Sequence, residues 1–360
     1  MSPPVRTVPG DRWSCHACGA CCRLYELGPV EPEVIAGIER AGLAASWPPA
    51  AEGWHERRTG VDGTSRAFLT HRDGHCVFLA DDNRCAVHAA LGEAAKPGFC
   101  REYPFHLVDR GEDTALVVRP SCAGYHAATG DTPVVDQVIA TLALPRVLPV
   151  RRRVPASVEI APGRTLPWAT WAPIEAELLG LLPLKATGGT SLQALQAIRA
   201  HLATRFDLPL GADAERARLA GGAVIEGLRR IMEAATRDGT ADPHRRAFAT
   251  QAEETLRRAL HRLGSPRPMA PEADAWNLRL LHGFLLARWY LGVGGVPEGL
   301  AVFTLQTRLV QAQGTDDPVT LAQAGPIVTL WTKLTENAAV LAFLQRARPA
   351  LWDLWIHLPE

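Results

Sequence analysis

The chain has 360 residues, 47% of them hydrophobic, and its 38 basic side chains balance 38 acidic ones. That size allows two domains of ordinary dimensions with a real core. Zero net charge gives no footing for nucleic acid or an anionic membrane surface. No opening apolar stretch marks a signal peptide, so a cytoplasmic location is expected.

Residues 1–12 read as a loose arm. Cys15-His16-Ala17-Cys18-Gly19-Ala20-Cys21-Cys22 follows, with four thiols in eight residues. A packed core would place cysteines at a helix or strand period. Here a two-residue gap repeats and closes on a vicinal pair. Thiolates crowded this way repel unless a cation lies between them, and Gly19 with the small Ala17 and Ala20 lets the backbone wrap an ion. The loop therefore reads as a metal site. Pro32 opens an amphipathic helix over 31–45. Residues 46–60, rich in Pro, Trp and charge, read as a loop.

A hairpin is expected over 66–80, with Phe68-Leu69-Thr70 and Cys76-Val77-Phe78-Leu79 joined through Asp73-Gly74. Cys85 precedes a short helix over 86–95, which Lys96-Pro97-Gly98 ends. Cys100 comes next. A second hairpin pairs 105–108 with 115–118 around Arg110-Gly111-Glu112-Asp113 and leads to Cys122. The later cysteines, Cys76, Cys85, Cys100 and Cys122, have x8, x14 and x21 spacings, too irregular for the paired knuckles of a zinc finger. In a reducing compartment all eight are expected as free thiols.

Beyond Cys122 the composition changes. A helix is expected from Thr132 to Leu144, then a linker over 145–168 with five prolines and Arg151-Arg152-Arg153, read as a solvated charge run. From Pro173 apolar residues recur at helical steps over 173–182, 191–206, 213–237, 243–263, 272–292, 297–313, 318–334 and 336–357. Ser191, Asp213 and Asp242 are the expected N-caps. The apolar run Trp276–Val296, interrupted by Arg279, His282 and Arg288, reads as a buried helix rather than a membrane span. The fold class is α+β: a cysteine-rich metal-binding domain with short hairpins at 1–130, a helix and linker at 131–170, and a helical domain at 171–360.

Cys15-x2-Cys18-Gly19-x-Cys21-Cys22, Cys76-Val77-Phe78-Leu79, Cys85-Ala86-Val87-His88, Cys100-Arg101-Glu102-Tyr103-Pro104 and Cys122-Ala123-Gly124 together resemble the YkgJ-type cysteine-cluster family, the CxxCxxCC zinc- or iron-chelating domain. The resemblance covers residue 13 to about 126. Flagellin lysine-N-methylase shares a related framework, although its early cysteines are set more widely. Lys96 stands where many members carry an Arg-Pro pair. The resemblance implies zinc or iron chelation and, through the methylase relatives, methyl transfer from S-adenosylmethionine to lysine.

Thiolates suit zinc and iron–sulfur clusters alike. The C-x2-C-x2-C opening matches the start of a bacterial ferredoxin run, which places an iron–sulfur cluster first and zinc second. All eight cysteines are candidate ligands, with one of Cys21 and Cys22 able to serve a second site or to remain a core thiol. His16, His88 and His106 read as satisfied or exposed rather than ligating, and Glu102 and Tyr103 flank Cys100 without an assigned role. No phosphate-binding or nucleophile-elbow motif is present. The helical domain is expected to bind a protein partner or substrate. A third reading is a zinc-stabilised interaction module. Finally, the four later cysteines are expected to converge on the Cys15–Cys22 loop, because ordering the 53 intervening residues is worthwhile only if they close onto something.

Overall fold

The computed structural model describes residues 4–59, 63–126, 134, 154–182, 190–238, 243–263, 266–313 and 318–358. The architecture is α+β: small sheets and hairpins in the cysteine-bearing part, then a mostly helical region. Apart from Val134, the expected helix over 132–144 lies outside the described residues, as do Arg151–Arg153 and Asp242.

The arm before the cysteine loop is a strand. β1 (Val5–Thr7) precedes three short helices, α1 (Ala20–Leu24), α2 (Pro32–Arg40) and α3 (Leu43–Ser46). Gly42, at a φ of 63°, breaks the helix expected over 31–45 between the last two. β2 (His55–Thr59) pairs antiparallel with β3 (Ser65–Leu69). β2 therefore lies within the segment expected to be a loop. Its His-Glu-Arg-Arg-Thr sequence is mostly exposed and has no apolar alternation, so only its pairing with β3 makes it a strand. The Asp73-Gly74 turn forms as expected, with both residues at positive φ. It joins only two-residue strands, β4 (His71–Arg72) and β5 (His75–Cys76), because Phe68 and Leu69 are already paired with β2. Then come α4 (Ala86–Leu91) and α5 (Gly98–Glu102).

The second hairpin forms as expected, from β6 (Phe105–Asp109) and β7 (Thr114–Val118). β1 adds to β7 in parallel, giving the sheet order β1-β7-β6. Both faces of this sheet are covered. Phe105, Leu107, Leu116 and Val118 enter the main core together with the helical region. Val108, Ala115 and Val117 pack with Val8 against Leu286 and Ala287. Burial on both sides explains why these strands read as continuous apolar runs.

After α6 (Ala123–His126), the linker segment contains a hairpin, β8 (Ser157–Ala161) with β9 (Arg164–Pro167). α7 (Trp168–Gly180) starts earlier than expected and carries Pro173 inside it. α8 (Ser191–Phe206) is capped by Thr190, which forms a capping box with Gln193. Ser191 is not the cap; it is buried, and its hydroxyl and N–H both donate to Asp274. α9 (Ala214–Arg237) is capped by Asp213 as expected. α10 (Pro243–Arg262), α11 (Pro271–Leu286), α12 (Val296–Ala312) and α13 (Leu321–Glu336) follow. The last expected helix is two, α14 (Ala338–Arg346) and α15 (Arg348–Ile356), with Pro349 at the start of the second. Among the described residues no single helix is long and apolar enough to cross a membrane.

The β6–β7 turn is fastened to the helical region by buried charge. Arg110 Nη2 donates to Glu175 Oε2 of α7 at 2.9 Å, and Arg110 Nη1 donates to the Leu286 carbonyl at the end of α11. Arg288 Nε donates to Glu175 Oε1 at 3.0 Å, and its Nη1 returns to the Arg110 carbonyl. Tyr290 donates to the same carboxylate at 2.6 Å and accepts from Trp171 Nε1. Asp113 lies 2.8 Å from Arg110 and 2.6 Å from Arg6, so β1 joins the cluster. Removing one member of such a cluster strands buried charge, at a cost of about 3–5 kcal/mol. Glu175→Ala should destabilise the chain by that amount in urea unfolding followed by tryptophan fluorescence. A loss under about 1 kcal/mol would show the cluster to be dispensable.

Candidate metal centre

Local turns gather the later cysteines. The chain reverses after Cys76: Ala80 N–H bonds to the Arg84 carbonyl, and Asn83 takes the left-handed conformation at a φ of 63°. Leu79 bridges to Cys85, which caps α4. The x8 spacing is thus one tight excursion that returns Cys85 beside Cys76. Cys100 sits in α5, whose first amide, Gly98 N–H, donates to the Glu31 carboxylate at 3.0 Å, tying that helix to the start of α2.

Arg23 joins this group to the first loop. Its guanidinium donates to the Cys18 carbonyl at 3.0 Å and to Asn83 Oδ1 at 2.6 Å. Gly19 makes the approach possible. It sits at a φ of 67°, and a Cβ there would meet Arg23 Nη1 and Asn83 Oδ1. Cys21 and Cys22, in the first turn of α1, hold their sulfurs 3.8 Å apart.

These segments enclose a cavity of about 1000 Å³, whose walls include Cys15, Cys18, Cys21, Cys22, Cys85, Cys100 and Cys122. Cys76 lies just behind, buried. All eight cysteines are free thiols. Glu336, at the end of α13, closes one side of the cavity and pairs with Arg119 at 2.8 Å. Beside it Lys333 sets its ammonium 3.6 Å from the centre of the Tyr25 ring. Burial lowers the Lys333 pKa to about 8. His16, His88, Glu102 and Tyr103 also line the cavity. His88 lies 3.4 Å from Glu93. His106 does not reach it; it is buried in β6 against Trp289.

The thiols fall into two electrostatic groups. Cys22 is held high by its hydrogen bond with Cys21 and by burial, with the charges of Cys76 and Cys100 adding to the effect. The same hydrogen bond draws Cys21 down to about 6. Burial pushes Cys76 up to about 12, and Cys85 and Cys21 add to that rise. Burial raises Cys100 too, with Cys76, Cys85 and Cys21 around it. Lys96 supplies a countercharge. Burial works against its ammonium, but Glu93, Cys100 and Cys85 raise its pKa overall. Cys122 stands apart. Burial raises it, and the neighbouring thiol that it feels is Cys18.

Seven of the eight cysteines thus share the walls of one cavity. Electrostatically the first loop is divided: Cys22 feels Cys76 and Cys100, whereas Cys18 is the thiol that Cys122 feels. Among the described residues no three His, Cys, Asp or Glu side chains already form a shell around one ion. By donor chemistry the residues fit a thiolate-bound metal. They offer soft sulfurs, a nearby cation in Lys96, and N–H groups directed at sulfur, such as Phe78 N–H, 3.4 Å from Cys76 Sγ.

Residues 14–123 match the CxxCxxCC family model, described as "Putative zinc- or iron-chelating domain". No curated protein and no solved structure matches the chain. The match covers the cysteine-rich part and ends one residue past Cys122.

Sequence reasoning missed Arg23, Trp13 and Asp11. Asp11 is buried, accepts from Tyr125 at 2.8 Å, and sits under the turn that carries Cys122. Burial lifts its carboxyl from 3.8 to about 7, against the pull of Tyr125 and Arg279. The folded chain thus holds this proton longer than the unfolded one, so stability falls as pH climbs from about 4 through about 7. Each pKa unit is worth about 1.4 kcal/mol. Asp11→Asn should flatten this slope and leave the variant the more stable chain at pH 8. Parallel melting curves for the two chains from pH 5 to 8 would contradict the assignment.

Proposed function

We propose that residues 14–123 hold a thiolate-bound metal in this cavity, with an iron–sulfur cluster as the first candidate and zinc as the second. The observation that carries the reading is that seven cysteines from separate stretches of chain line one cavity, with an eighth directly behind it. Cys76, Cys85 and Cys100, with one of Cys21 and Cys22, would ligate the metal on one side. Cys15, Cys18 and Cys122 would ligate it from the other. The C-x2-C-x2-C opening supports a cluster over a single ion. A cluster supplies electron transfer, and zinc supplies a cross-link.

The protein's own groups prepare the site in three ways. Arg23 sets the first loop against the Asn83 turn. Lys96 offsets thiolate charge. The helical region shields one side through Glu336 and Lys333, and it is there that a protein partner or substrate would meet the centre. Lysine methylation with S-adenosylmethionine rests on resemblance to the methylase relatives and has no residues assigned to it.

Purification without air, followed by iron, sulfide and zinc analysis, tests the reading. Iron with matching sulfide and a broad visible band is the expected result, whereas a colourless protein carrying zinc moves the second candidate to first. Cys76→Ser, Cys85→Ser and Cys100→Ser should each lose most of the metal. A folded wild-type chain with neither metal overturns the proposal.

A further inference from the structure

The Trp13 indole reaches the Cys122 sulfur, its Nε1 lying 3.3 Å from Sγ across 109 residues of sequence. The nearby Tyr125 amide is spent elsewhere, donating to the Cys122 carbonyl at 3.0 Å. A neutral thiol is a weak acceptor. An N–H held on a sulfur suits an atom carrying negative charge, as a metal-bound thiolate does.

The approach of Trp13 is built in from both sides. Its ring packs edge-on against Phe105 of β6, with centroids 5.1 Å apart and planes at 76°. On the other side the chain is bare at Gly124. A Cβ there would lie 2.7 Å from the Ser14 carbonyl and 3.3 Å from Trp13 Nε1. The segment before Cys15 could then no longer seat against the Cys122 turn. Both Trp13 and Gly124 line the cavity with the sulfur they flank.

We propose that Trp13 is the positioning residue for Cys122 as a metal ligand, and that Gly124 is kept bare so that the indole N–H reaches the sulfur. The assignment rests on the thiolate–metal reading above. The indole fixes the direction of the sulfur and draws electron density from it. It also ties the start of the first cysteine loop to the last cysteine.

The test is a double-mutant cycle on the full chain: wild type, Trp13→Phe, Cys122→Ser and the two together. The readout is the iron and zinc retained against rising concentrations of EDTA. Trp13→Phe keeps an aromatic ring beside Phe105 but removes the N–H together with part of the indole, and the cycle separates that packing loss from the loss of the donor. Loss of a group that orients a ligand typically weakens metal binding about 10–100-fold. Half of the metal should therefore be lost at an EDTA concentration lower by that factor, and Gly124→Ala should reproduce the shift. In the Cys122→Ser background Trp13→Phe should add little. An equal shift in both backgrounds would mean that Trp13 acts by packing alone, and no shift in either would mean that it does not act; both overturn the assignment while leaving the metal reading intact. A wild-type chain that retains neither metal overturns both.

Discussion

Glu175 is the charge on which the arrangement turns. It accepts from Arg110, Arg288 and Tyr290 in a place where water does not reach. Burying such a cluster contributes little net stability compared with apolar packing of the same volume. What it contributes is register. Arg110 belongs to the hairpin that runs between Cys100 and Cys122, while Arg288 and Glu175 belong to the helical region. A slip of that hairpin would leave charges without partners in a low-dielectric interior, so its position is held tightly. The Cys122 end of the cavity inherits that accuracy.

The molecule has two substantial cores with the cysteines between them. One gathers Leu27, Val34, Ile38, Trp54 and Phe78 around the early helices and small hairpins. The other takes the inner face of β6 and β7 together with the long helices. Cys76, Cys85 and Cys100 belong to the first, and Cys122 belongs to the second. A metal held by sulfurs from both sides would join cores that otherwise meet through side-chain contacts such as Lys333 on Tyr25 and Arg245 with Glu26.

Much of this was legible in the sequence, and the reasons differ by element. The 105–118 hairpin was visible because its strands are apolar on both faces and its turn is polar. The long helices were visible through their apolar periodicity. The α+β division followed from where the cysteines stop. β1 and β2 were not visible, because three mostly exposed residues and a charged pentapeptide become strands only when a neighbour offers an edge. The cysteines could be named but not grouped, since spacing along the chain does not say which of them come to line one cavity. Trp13 and Arg23 carry no local pattern at all. Their roles come from partners 109 and 60 residues away.

The family match stops at residue 123, which invites excision of the cysteine-bearing part as a stand-alone module. The sheet argues against that cut. Phe105, Leu107, Leu116 and Val118 are covered by the long helices, and Val108, Ala115 and Val117 pack with Leu286 and Ala287. A fragment ending near residue 126 would bare both faces of a short sheet and the Arg110 guanidinium at once. Such a fragment would be a sticky edge-rich species rather than a small soluble domain. The residues that the family model matches and the residues that share their cores are therefore different lengths of this chain.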